Sequence, residues 1–101
     1  MKAYLITPDT QSLQEIDISS LDDIKSVIGF ETIESDATGS EGDRLYFDEE
    51  CFLRATPGRF QIDKLIPVSG KGVIAGADAD GVSLVDVKVS LEELKQRVKY
   101  I

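Results

Sequence analysis

The sequence contains no histidine, no tryptophan, one cysteine and three prolines in 101 residues. Each scarcity excludes something. Without imidazole there is no common general base, no common metal ligand and no triad that needs histidine. One cysteine and no histidine cannot assemble a zinc site. A lone Cys51 cannot form an intrachain disulfide, so a disulfide-stapled secreted scaffold is ruled out. No apolar run approaches membrane-spanning length. The opening segment from Met1 to Pro8 reads as a strand stopped by proline, not as a signal peptide, and the default compartment is the cytoplasm.

What is present fits one globular domain over residues 1–101. Apolar residues make up 42% and charged residues 30%, enough to bury a thin core. The net charge of −8 is unevenly spread. Residues 1–50 hold thirteen acids against three bases, and residues 51–101 hold six against eight. Such a balance disfavours direct binding to nucleic acid, which needs a basic patch.

The pattern predicts an α+β fold: a small, mostly antiparallel sheet of five to seven short strands with two helices on it. Ala3–Thr7 and Leu13–Ile18 read as an opening hairpin. A first helix is expected over about 20–28, with Ser20 as its cap, Asp22 and Asp23 in its first turn, and Gly29 ending it. Phe30–Glu34 reads as a short strand, and residues 35–43 as a flexible polar loop. Leu45–Phe47 and Cys51–Leu53 flank Asp48-Glu49-Glu50 like a hairpin with an acidic tip. Phe60–Ile66 fits neither period clearly. Gly72–Ala75 reads as a buried strand and Val82–Val89 as an alternating one, joined by a turn at Asp78-Ala79-Asp80-Gly81. A second helix is expected over about 90–99, where Ser90 and Glu93 form a capping box. The run from Ile16 to Lys25 echoes the run from Val87 to Lys95, each a strand entering a capped helix.

The remaining motifs lack required members. Cys51 follows three acids, where a reactive thiol needs a cation or a helix N-terminus, so it reads as a small core hydrophobe. In Gly70-Lys71-Gly72 no serine or threonine follows the lysine, and an apolar strand replaces the helix a phosphate loop requires. Asp78 to Gly81 resembles part of a calcium loop, but Gly76 and Val87 occupy essential ligand positions. The trio Asp48-Glu49-Glu50, with Asp36, Glu41 and Asp43 near it in sequence, could collect a divalent cation. A loop-tip position does not provide the concave site such chemistry needs. No catalytic residue, metal site or cofactor is assigned.

The surplus acid concentrates in residues 31–50, where eight carboxylates face one base, Arg44. The candidate interaction surface is therefore Glu31, Glu34, Asp36, Glu41, Asp43, Tyr46, Asp48, Glu49 and Glu50. An acidic face with embedded aromatics suits a basic protein partner.

The segments Gly42-Asp43-Arg44-Leu45-Tyr46-Phe47-Asp48-Glu49-Glu50, Gly70 to Gly81 and Val89-Ser90-Leu91-Glu92-Glu93-Leu94 resemble a group of small bacterial proteins of unknown function, with relatives on phages and plasmids. The resemblance runs from about residue 13 onward and implies no activity and no site residues. The leading expectation is a non-catalytic interaction or accessory module. The alternatives are a phage or mobile-element inhibitor acting as an acidic nucleic-acid mimic, and a small-ligand binder or carboxylate enzyme. Homodimerisation through an uncovered sheet face or edge is a further expectation.

Overall fold

The first hairpin forms as the alternation predicts. In a computed structural model describing residues 1–39, 41–54, 56–79 and 83–101, β1 (Lys2–Thr7) pairs antiparallel with β2 (Ser12–Asp17). α1 (Leu21–Ile28) follows at once. Gly29 ends it at φ +93°, a left-handed conformation that suits glycine, and its amide donates to the Lys25 carbonyl. Ser20 stands at the cap position without a side-chain cap bond. The carboxylate of Asp23 instead accepts from the Ser19 amide at 2.6 Å.

The central region departs from expectation. β3 (Ile33–Ala37) pairs antiparallel with β4 (Asp43–Asp48). The predicted loop 35–43 is therefore shorter, because residues 35–37 and Asp43 belong to strands. β4 does not fold back on Cys51–Leu53, which lie in successive turns. The Cys51 amide donates to the Asp48 carbonyl, and the Leu53 amide to that of Glu50. The acidic trio is thus a turn at the end of a strand, not a hairpin tip.

After β5 (Arg59–Ile62) and β6 (Val68–Ser69) comes β7 (Gly72–Ala77), buried throughout. β7 is the centre of the larger sheet, ordered β2-β1-β7-β4-β3, with β8 (Leu84–Val85) also paired to β7. The predicted strand 82–89 shrinks to these two residues. Val82 lies outside the described residues, as do Asp80 and Gly81 of the predicted turn. Val87 and Val89 are buried without joining a strand, so the second copy of the strand-to-helix echo keeps its capped helix but lacks its strand. α2 (Leu91–Arg97) is capped by Ser90, whose hydroxyl accepts from the Glu93 amide at 3.1 Å. It is shorter than predicted because Val98 and Lys99 enter β9 (Val98–Tyr100). β9 pairs with β5 to give a second sheet, ordered β6-β5-β9.

Alternation along the larger sheet sends side chains into two cores. Tyr4, Ile6, Leu45 and Ile74 meet Phe60, Ile62 and Val68 of the second sheet and Leu94 of α2. Ala3, Tyr46, Val73 and Ala75 meet Ile24 and Ile28 of α1. The architecture is three-layered, with α1 on one face and the second sheet plus α2 on the other. Burying a side chain such as Ile6, Phe60 or Ile74, each fully enclosed, contributes about 1.5–3 kcal/mol. Among the described residues no helix is long and apolar enough to cross a membrane.

Candidate functional site

Of the nine residues of the candidate acidic surface, the fold buries Asp43, Tyr46 and Asp48 and leaves the other six on β3 and in the connections flanking β3 and β4. Asp43 and Asp48 are buried and serve the structure. Asp43 opens β4 facing the core shared with α2. Its two carboxylate oxygens accept from the Lys88 amide at 2.8 Å and the Val89 amide at 2.9 Å. It thereby ties the chain entering α2 to the larger sheet.

Asp48 ends β4. One of its oxygens accepts from the Thr32 hydroxyl and from the Glu50 amide at 3.1 Å, and the other from Arg54 Nε at 2.6 Å. Desolvation opposes its ionisation most strongly. The bonds from Thr32, Glu50 and Arg54, with the Arg54 charge, together outweigh that, and hold its carboxyl below the usual range. The Arg54 guanidinium also lies over the Phe30 ring at 4.1 Å.

Of the others, Glu50 bonds to Arg54 at 3.3 Å and Glu31 lies 3.6 Å from Lys25. Glu34 and Asp36 share one face of β3, the edge strand beside β4. Glu41 and Glu49 are exposed in the connections on either side of β4. Tyr46 is buried at 7% exposure, on the α1 side of the sheet.

A polar cleft of about 240 Å³ lies beside Asp43, lined also by Glu41, Glu93 and Arg97. Both Asp43 oxygens are occupied by backbone amides, which leaves it an anchor and not a base. Arg97 is tied to Asp63 at 2.6 Å and donates to the Thr38 carbonyl. Those Asp63 bonds raise its pKa above the ordinary arginine value. Among the described residues no three acids or thiols converge as a metal site would require. Cys51 packs in the core with Leu45 and Phe60.

The second sheet presents a different surface. Phe60 and Ile62 point into the core, so Arg59 and Gln61 face outward on β5. Lys99 stands opposite Gln61, and the Ile101 amide donates to the Arg59 carbonyl at 3.0 Å. The Arg59 guanidinium lies over the Phe52 ring at 5.7 Å. Leu53 follows at 85% exposure, and Phe52 itself is 52% exposed. Ile66, at 69%, adjoins the same strand, where Gln61 donates to the Leu65 carbonyl at 2.9 Å. Phe52 therefore lies beside the cation Arg59, with Leu53 next to it in the chain, and Ile66 adjoins the turn that Gln61 of β5 bonds.

Sequence reasoning missed this surface because it placed Phe52 and Leu53 inside a strand. One signal was available. Acids precede this apolar pair, and Arg54 and a Thr56-Pro57-Gly58 turn follow it, leaving too little chain for a strand. No protein-family model, curated protein or solved structure matches this chain.

Proposed function

We propose that the chain is a non-catalytic protein-interaction module that docks its partner through the outer face of the second sheet. The observation that carries this reading is the exposure of Phe52, Leu53 and Ile66, with the cation Arg59 beside Phe52. Exposed apolar groups rimmed by charge are the usual composition of a docking patch. The Arg59 guanidinium over Phe52 holds an aromatic and a cation together, and arginine and aromatic side chains carry much of the energy at interfaces. The complementary partner surface is apolar with an acidic rim. We place the module in the cytoplasm, as an accessory protein of the kind its resemblance to phage- and plasmid-borne sequences suggests.

The nucleic-acid mimic is the competing reading, and its support is the exposure of Glu34, Glu41 and Glu49. One experiment separates the two. Wild type, Leu53→Asp and the double variant Glu34→Lys/Asp36→Lys are immobilised, and captured host proteins are quantified by mass spectrometry. The proposal expects Leu53→Asp to lose the partner at least tenfold while the double variant retains it. The stability of Leu53→Asp should stay within about 0.5 kcal/mol of wild type, as for exposed sites generally. The opposite pattern overturns the proposal in favour of the mimic.

A further inference from the structure

α1 has only eight residues and leaves part of its face of the larger sheet uncovered. The floor there is low, because β7 contributes Ala75 and β3 contributes Ser35. A cleft of about 440 Å³ results, lined by Ser20 and Leu21 at the start of α1, Ser35 and Tyr46 on the sheet, Leu84 on β8, and Met1. That volume lies within the ~300–1,000 Å³ typical of small-molecule sites.

Its polar groups are unevenly used. Tyr46 is more than nine-tenths buried, yet its hydroxyl has no hydrogen-bond partner among the described residues. Every fully enclosed side-chain polar atom among them does have one, so the Tyr46 hydroxyl is not sealed in the core, and Tyr46 lines the cleft. A buried tyrosine normally finds a partner for its O–H. Desolvation raises the pKa of this phenol, against a smaller opposing effect of Arg44, so it remains a donor through the physiological range. The Ser20 hydroxyl, released from capping, stands at the same cleft.

We propose that this cleft binds a small neutral molecule with a one- or two-ring apolar body and a carbonyl or amide oxygen that accepts from Tyr46. Leu21, Leu84 and Met1 supply the apolar wall. Neutrality follows from the charges around it. Asp17 is held by the Met1 ammonium at 2.8 Å, Asp23 by the Ser19 amide, and Asp86 by the Lys2 amide at 2.8 Å. Asp22 adds a further carboxylate in the first turn of α1. The Arg44 guanidinium, on the same face of the sheet, donates to the Ser35 hydroxyl at 3.0 Å and to the Ser35 carbonyl. Among the described residues no charged side chain lines the cleft itself, so neither an anion nor a cation meets a free counter-charge there.

The test uses benzamide, benzoate and benzylamine, three probes of one size, titrated into ¹⁵N-labelled protein. Benzamide is expected to move the amide resonances of Ser20, Leu21, Tyr46 and Leu84, and to bind at least tenfold more tightly than benzoate. Tyr46→Phe removes only the unpartnered hydroxyl. It should keep the thermal midpoint and weaken benzamide about five- to tenfold, as expected for one lost hydrogen bond. Leu84→Phe fills the cleft and should abolish binding. Absence of shifts with all three probes, shifts confined to the second sheet, equal binding of benzoate, or unchanged affinity in Tyr46→Phe would each overturn the proposal.

Discussion

Asp43 and Asp48 show what burial does to an acidic side chain. Each begins or ends β4, where backbone amides would otherwise lack acceptors, and each supplies them. Their charge is therefore structural. For Asp48 this has a measurable sign. Its carboxyl titrates lower in the folded chain than in the unfolded one. The stability it contributes is complete above the unfolded value and is lost as pH falls through the folded value. Asp48→Asn should cost about 2 kcal/mol near neutrality. In urea titrations across pH, that deficit should shrink as the solution passes below the ordinary carboxylate range. A deficit independent of pH would show that Asp48 acts through shape alone.

At the scale of elements, β7 carries the fold. It pairs with β1, β4 and β8 and lies between both cores. Its glycines permit that crowding. A Cβ on Gly72 would sit 2.5 Å from Phe60 Cζ and 3.1 Å from Leu45 Cδ1, and one on Gly76 would strike the Asp86 carbonyl. The ring of Phe60 is fully enclosed and has nowhere to go. Gly72→Ala should therefore cost about 3 kcal/mol in urea unfolding. A loss below about 1 kcal/mol would mean that the two layers can separate slightly to admit the methyl group. The motif that suggested a phosphate loop is thus a packing device, with Gly70 at φ +86° turning the chain into β7.

For the molecule as a whole, the acids left at the surface include a pair on a sheet edge. Glu34 and Asp36 lie on the β3 edge, whose outer backbone pairs with no strand among the described residues. Acids there discourage edge-to-edge pairing between copies. Replacing both, as Glu34→Thr/Asp36→Thr, should promote concentration-dependent association, seen as a rise in mass by light scattering. A monodisperse double variant would mean that the edge is protected by other means. The second sheet, with Arg59 and Lys99 and exposed apolar groups, is the side through which the proposed docking would occur.

The α+β class, both helices, the opening hairpin and the burial of β7 were legible in the sequence. They rest on local physics: side-chain period, caps, and turn residues a few positions apart. The same physics excluded histidine-dependent chemistry, since a missing residue type is missing in any fold. Tertiary structure decided the rest. Whether Asp43 and Asp48 display their charge or bury it depends on Lys88, Val89 and Arg54, which approach only when β4 finds β3 and β7. Whether Phe52 and Leu53 are buried depends on the partner β4 selects. Tyr46 belonged to the expected acidic surface by its place in sequence. The pleat turned it toward α1, and the shortness of that helix left it lining a cleft. These outcomes come from pairings between residues far apart in the chain, which period and composition do not encode.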